Sequence, residues 1–243
     1  MKILKRVKVP ILLIFLLLST ISVGIVFAAN GIGFFSAEKK SNKTFNKSKD
    51  LYAKLNLNAL GLTKDAYNFA VKGYDILNKS NAIQNGSILS IIDFSLPSSQ
   101  KRLFVIDLLK EKLVFHTYVS HGRNSGSKYA TQFSNTPESL QSSLGFYETS
   151  CTYEGKNGYS LQLIGLEKGI NDKAFERAIV IHGASYVSEE NIKAQGYIGR
   201  SWGCPAVPEN VSENIINYIK DGTCLFIYAP DKKYMKQSRF ING

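Results

Sequence analysis

Histidine, cysteine and tryptophan are scarce in this chain of 243 residues: three His (His116, His121, His182), three Cys and one Trp. Three His with no H-E-x-x-H spacing, and three Cys with no C-x-x-C pair, exclude the common hydrolytic and structural zinc sites. Three Cys are also too few for a disulfide scaffold. Ser98-Ser99-Gln100-Lys101 and Ser36-Ala37-Glu38-Lys39 fit the spacing S-x-x-K, but no Lys-Thr-Gly occurs after them, which excludes serine acyl-enzymes of that kind. Every His precedes Cys204, so that cysteine cannot serve in the Cys-then-His chain order of papain-like peptidases. There is no internal repeat and no nucleic-acid-binding module, and Lys and Arg are scattered rather than striped.

What is present describes a globular chain. Hydrophobic residues make up 44% and charged residues 20%, at a length that suits one domain of ordinary size with appendages. Only one long apolar run occurs, Ile11 to Ala28, behind Lys2, Lys5, Arg6 and Lys8. Val26 and Ala28 suit the small-residue positions of a signal-peptidase cut after Ala28. Residues 1–28 are therefore expected to be a signal peptide, or an N-terminal anchor if uncut, with the rest of the chain exported. Loss of this segment lowers the net charge from +11 to +7. A basic exported protein can meet anionic wall polymers or lipid head groups, but solvated surface charge is the simpler explanation, and the charge decides little.

Residues 29–46 are polar and aperiodic and read as a linker. Residues 47–87 read as a small helical segment packed on the main domain. It has a short helix at Ser48–Leu55, then a helix at Lys64–Asn78 capped by Thr63, with Ala66, Phe69, Ala70, Gly73, Tyr74 and Leu77 on one face. From Ile88 the texture becomes β-rich, and residues 88–230 read as that main domain, with 231–243 as a tail. Strands are expected at 88–94, 102–108, 112–119, 143–147, 159–164, 178–181 and 223–228, and short helices at 188–195 and 209–220. The fold class is mostly β (α+β): a sandwich or barrel with small helices.

Two glycine-marked turns carry the candidate chemistry. Ala178-Ile179-Val180-Ile181 is a β-branched run that delivers His182 to its tip, ahead of Gly183. Gly199-Arg200-Ser201-Trp202-Gly203-Cys204-Pro205-Ala206 sets a Cys between Gly and Pro. Pro205 biases Cys204 toward extended backbone, and Gly203 allows close approach of another chain. Pro205 has no N–H, so an oxyanion hole at this turn would use the N–H groups of Gly203 and Cys204, or a side chain. A helix starting near Pro208 would lower the thiol pKa through its N-terminal amides. Cys151 and Cys224 are left open as a pair outside the cytoplasm.

Ile181-His182-Gly183, with Ser201-Trp202-Gly203-Cys204 further along, resembles the signature His … Ser/Thr-His-Gly-Cys of the YkuD-type murein L,D-transpeptidase catalytic domain family. Asp93-Phe94-Ser95, His121-Gly122-Arg123-Asn124-Ser125-Gly126, Phe133-Ser134-Asn135 and Ser142-Ser143-Leu144-Gly145-Phe146-Tyr147 extend the likeness. So do Arg177 to Ala184 and Gly199 to Val207, and the whole spans roughly residues 48–230. The resemblance implies a cysteine-dependent L,D-transpeptidase acting on peptidoglycan stem peptides. Cys204 is the nucleophile that forms a thioester, and His182 the proton acceptor. Transfer to an amine acceptor gives a 3→3 cross-link, and transfer to water gives L,D-carboxypeptidase activity; a non-catalytic wall-binding protein is the alternative from another class. No metal or organic cofactor is implied. The expected setting is the periplasm or another extracytoplasmic part of the envelope, with membrane contact only through an uncut N-terminal segment.

In this reading Gly203 and Ser201 line the oxyanion or orient the imidazole, and Arg200, Trp202, Gly183 and His121 line the substrate cleft. Arg200 would take a stem-peptide carboxylate. The chain departs from the signature at Trp202, where the family has a second His, which leaves His182 with all the imidazole work.

Overall fold

The computed structural model describes residues 51–242; the expected leader and linker lie outside the described residues. The first long element, α1 (Lys64–Lys79), starts where Thr63 adopts extended backbone and its hydroxyl accepts the Ala66 N–H. That hydroxyl also donates to Asp93 Oδ2 at 2.6 Å, so the helix start is tied to the sheet as well as capped. The helix buries Ala66, Ala70, Gly73, Tyr74 and Leu77 of the expected face together with Tyr67, Val71 and Asp75, while Phe69 is only half-buried. Gly73 has a steric reason: a Cβ there would lie 2.0 Å from Phe146 Cζ. Phe146 cannot recede, because it stacks on Phe226 (centroids 4.2 Å apart) and meets Phe240 edge-on.

Eight strands form one sheet: β1 (Ile88–Asp93), β2 (Leu103–Asp107), β3 (Lys112–Thr117), β4 (Gly145–Gly155), β5 (Gly158–Gly165), β6 (Val180–Gly183), β7 (Ala206–Val207) and β8 (Cys224–Tyr228). Their order is β3-β2-β1-β8-β4-β5-β6-β7, with β1/β8 and β6/β7 parallel and the remaining neighbours antiparallel. β1, β2 and β8 are buried along their whole length, which explains why their apolar residues are consecutive rather than alternating, with Ser90 the one polar residue inside β1. The two ends of the order meet just past β3: the Ser120 N–H donates to Ala206 O at 2.8 Å, and Ser120 Oγ accepts the Ala206 N–H. Of the sandwich and the barrel expected from sequence, the sheet is near-barrel and continuous, because this link brings its edges together.

The mostly β class holds, and three details differ from the sequence reading. β4 runs on to Gly155, well past Tyr147; its outer half is polar and partly exposed, so it carries no apolar signal, and cross-strand pairing with β5 defines it. β7 is a two-residue strand that turn residues obscure. Residues 231–242, read as a tail, form α4 (Lys232–Gln237) and α5 (Arg239–Asn242) and belong to the core. Tyr234, Phe240 and Ile241 are buried there, and Tyr234 and Ser238 donate to the buried Glu167 carboxylate, which also accepts the Phe146 N–H. Of two further helices, α2 (Glu189–Gln195) lies in the connection between β6 and β7, and α3 (Glu209–Ile219) packs on β6.

The cysteines are separate free thiols. Cys151 is exposed on β4, and Cys224 is fully buried on β8, where desolvation pushes its thiol far up. No helix among the described residues is long and apolar enough to cross a membrane.

Candidate active site

β6 places the imidazole. Its Val180-Ile181 pair is buried, and His182 sits opposite Ser160 of β5 on one side and Ala206 of β7 on the other. His182 is 5% exposed, and its Nδ1 lies 2.8 Å from Gly183 O. A carbonyl only accepts, so Nδ1 carries the proton and Nε2 keeps its lone pair. Burial lowers the imidazole pKa below its ordinary value, and the carbonyl bond opposes this. The ring is therefore neutral at pH 7, in the tautomer a general base needs. A main-chain carbonyl orients it, and Ser201 does not.

Ser201 instead organises the cysteine turn. Its Oγ accepts the Gly203 N–H at 3.0 Å and donates to Cys204 O at 2.6 Å. Ser142 Oγ donates to Gly203 O at 3.1 Å and accepts the Gly122 N–H, which ties the turn to a second loop. The expected use of the Gly203 N–H in an oxyanion hole is thereby corrected: that donor is already spent. The Cys204 N–H faces its own sulfur. Gly203 has φ +129°, and a Cβ on it would lie 2.9 Å from Gln141 O, so the position requires glycine for conformation and for space.

Cys204 is partly exposed, and Sγ is 3.7 Å from Ala178 O, the acceptor available to the protonated thiol. Because β7 pairs in parallel with β6, the turn before β7 is held beside the strand that carries His182. Burial pushes the thiol above its ordinary pKa, while the Val180 N–H, the Arg177 charge and its own N–H favour the thiolate. The expected helix-terminal assistance is not what shapes this thiol. Cys204 leads into β7, α3 begins only after Pro208, and the net shift is upward.

The remaining expected residues fall into different places. Trp202, in the cysteine turn, is 69% exposed, with Lys156 Nζ from the β4–β5 hairpin 5.9 Å from its ring centroid. Arg200 is exposed, and its Nη1 is engaged by the carbonyls of Arg123 and Gly126. Gly183 contributes its carbonyl and a close approach to α3, since a Cβ there would meet Ser212 Oγ at 2.6 Å. His121 corrects the cleft reading: it is sealed from solvent, where a substrate cannot touch it. Arg102 Nη2 donates to its Nδ1 at 2.8 Å, so its Nε2–H points at Gly126 O. Burial, with the Arg102 charge, holds its pKa down at about 3. Its carbonyl accepts the Ser201 N–H, so it supports the cysteine turn from behind.

Two residues escaped the sequence reading. Arg177, half-buried, donates through Nη1 to Ser134 O and Ser143 Oγ and through Nη2 to Ser139 Oγ and Gln141 O. Tyr186 hydrogen-bonds Ser120; burial and the nearby Cys204 push its phenol up to about 12. Arg177 opens the block around His182 that carries the resemblance, yet no role was read for it, and the only signal for Tyr186 was proximity in sequence to His182. Beyond the imidazole, a cavity of about 590 Å³ is lined by Tyr118, Ala184, Val187, Glu189 and Glu209. Among the described residues no group of His, Cys, Asp or Glu is placed to hold a metal ion.

A thiol on a Gly–Pro turn that leads into the strand paired with an oriented, neutral imidazole is equipped for thiol-based acyl chemistry. The chain belongs to the L,D-transpeptidase catalytic domain family, whose model matches residues 58–228. Among solved structures it is similar to an L,D-transpeptidase from Mycobacterium smegmatis, at 12% identity and TM-score 0.36, over 59% of each chain. It is also similar to L,D-transpeptidase 3 from Mycobacterium tuberculosis in complex with a faropenem-derived adduct, at 11% identity and TM-score 0.37, over 59% of this chain and 60% of that one. A third, the L,D-transpeptidase from Xylanimonas cellulosilytica, gives 16% identity and TM-score 0.33 over 58% and 60%. This chain thus spans about three-fifths of the length of those structures. No curated protein matches the sequence.

Proposed function

We propose that the protein is a cysteine-dependent acyltransferase that acts on peptidoglycan stem peptides, with Cys204 as nucleophile and His182 as base. The observation that carries this reading is the His182 Nδ1–Gly183 O bond, which leaves Nε2 unprotonated on the strand that pairs with the cysteine turn. In the acylation step Nε2 takes the Sγ proton, and sulfur attacks the carbonyl carbon of the L-centre of the diamino acid. The tetrahedral oxyanion forms near the Cys204 N–H. Its collapse breaks the amide bond to the terminal D-Ala, whose amine receives the imidazolium proton and leaves. The thioester is then attacked by a second stem's amine, which gives a 3→3 cross-link, or by water, which gives a trimmed peptide; His182 takes the proton from the attacking group, and sulfur departs. Trp202, with its open ring face beside the turn, packs on the substrate. The apolar leader read at residues 1–28 supports placing this activity in the extracytoplasmic envelope, where such peptides occur.

The test uses purified protein and a carbapenem. The intact protein should gain the mass of one inhibitor, and Cys204→Ala should abolish the gain. Sacculus binding without any adduct would instead favour a non-catalytic wall-binding protein. Digestion of purified muropeptides then separates the two fates of the thioester: dimers lacking a D-Ala bridge indicate transfer, and tripeptides alone indicate hydrolysis.

A further inference from the structure

Arg177 is half-buried, yet among the described residues no Asp or Glu pairs with it. Its acceptors are the Ser134 and Gln141 carbonyls and the Ser139 and Ser143 hydroxyls, all neutral. A cation taken out of water without a counter-charge is costly, and such groups persist where a negative charge arises. Nη2 lies 3.3 Å from where a Cβ on Gly203 would sit, and Gly203 is bonded directly to Cys204. The residue after Arg177, Ala178, supplies the carbonyl that holds Sγ, and it does so from a left-handed backbone at φ +51°. Strained residues at φ +55° (Leu140) and +61° (Glu138) occupy the facing loop, whose Gln141 carbonyl the guanidinium grips at 2.6 Å. The local structure is thus arranged around this one side chain.

We propose that Arg177 is a positioning residue whose uncompensated charge stabilises the Cys204 thiolate, in place of the second imidazole that the Trp202 position lacks. The inference rests on Cys204 being the nucleophile. The alternative use of an arginine near such a site, gripping a substrate carboxylate with both Nη groups, is closed by the fold: each Nη is already committed to two acceptors. What remains is its field. The side chains that act electrostatically with the sulfur are Arg177 from the segment before β6 and Tyr186 after β6, and His182 is carried on the strand that pairs with β7. His182 is neutral, and Tyr186 has its phenol pushed up, so Arg177 is the one fixed charge among them. The electrostatic partners that favour the charged guanidinium are the Tyr147 phenol and the Cys204 thiol.

The experiment is the pH dependence of Cys204 alkylation by iodoacetamide in the intact protein, read by mass spectrometry of the Cys204 peptide so that Cys151 does not interfere. Arg177→Met should raise the alkylation midpoint by about one pH unit, about a tenfold slower reaction at neutral pH. Arg177→Lys should keep the midpoint near wild type, because it retains the charge. Ser139→Ala, which removes one acceptor and no charge, should leave it unchanged. A merely structural tether predicts the opposite pattern, with Lys and Met alike and the midpoint unmoved, and that result overturns the proposal. If Arg177→Met does not fold, the lysine variant decides: a midpoint raised by about one pH unit, the shift assigned to loss of the charge, overturns it. Failure of Cys204 to alkylate at any pH in the wild type would refute the nucleophile itself, a separate outcome.

Discussion

Replacing Gly203 by Ala tests whether the cysteine turn depends on the one residue that can make it. The backbone there is at φ +129°, a region open to glycine and strained for any L side chain, at roughly 1–3 kcal/mol. Space adds to strain: the new methyl would lie 2.9 Å from Gln141 O, 3.1 Å from Ile179 Cδ1 and 3.3 Å from Arg177 Nη2. Neither wall can easily yield. Gln141 O is held by Arg177 at 2.6 Å, while Gly203 is held through its N–H by Ser201 and through its carbonyl by Ser142. Relief requires giving up at least one of these bonds, worth about 0.5–1.5 kcal/mol if neutral and about 1.5–3 if to the guanidinium. The total is about 2–4 kcal/mol, and it falls on the backbone unit that aims Sγ. Urea unfolding should show the midpoint falling by about 1–2 M at an unchanged slope. Cys204 adduct formation should slow in the protein that remains folded. Gly158→Ala is the control, because Gly158 also has positive φ (+74°) but open space around it; it should cost only about 1 kcal/mol and leave the thiol unaffected. Equal effects of the two substitutions, or none at Gly203, would refute the claim that this turn is sterically determined.

Gly73→Ala sets the helix preference for Ala, about 1 kcal/mol, against a methyl 2.0 Å from Phe146, and overpacking should win with a net loss of about 1–2 kcal/mol in chemical denaturation. His121, held at about pKa 3, binds its proton more weakly in the folded chain than in the unfolded one. The unfolded state therefore holds more protons between roughly pH 6.5 and 3, so the stability from this group is complete above about 6.5 and declines as pH falls through that window. His121→Gln, whose amide can still accept from Arg102 and donate to Gly126 O, should flatten that slope by up to about 1.4 kcal/mol per pH unit in unfolding measured across the window. Trp202→Ala should raise KM for a muropeptide donor several-fold while leaving the melting temperature within a few degrees, since the ring is exposed; an unchanged KM would remove Trp202 from the substrate surface.

Much of the fold was legible because burial on both faces writes long apolar runs. β1, β2 and β8 could be read directly from Ile88, Leu103 and Thr223 onward, and α1 from its capped, amphipathic spacing. What the sequence hid was whatever depends on partners far along the chain. The polar outer half of β4 exists because β5 pairs with it, and β7 is two residues long and defined only by β6. Residues 231–242 look like a tail because their buried Tyr234 and Phe240 are widely spaced among lysines. The thiol and the imidazole could be found from the Gly and Pro around Cys204 and the strand before His182. The assignment of donors could not. Whether the Gly203 N–H was free, what oriented His182 and whether His121 faced solvent all turn on side chains brought in from other loops.

Those loops explain why the site sits where the sheet nearly closes. The cysteine turn takes bonds from Ser142 in one loop, from the His121 carbonyl and Gly122 in another, and lies against Arg177 from a third. A single hairpin could not supply three independent restraints on one short turn, whereas the meeting of β7 with the chain leaving β3 brings three loops together around it. The arrangement has an electrostatic cost, because the same enclosure desolvates the sulfur and raises its pKa. The thiol at rest is then protonated and bonded to Ala178 O, and a carbonyl at that distance disfavours a thiolate as much as it suits a thiol. Reactivity at neutral pH therefore depends on groups that act on the charged form, and the Val180 and Cys204 amides and Arg177 are the ones the fold provides. Removing Ser142 Oγ, which touches none of these donors, should loosen the turn, whereas neutralising Arg177 should leave the sulfur protonated.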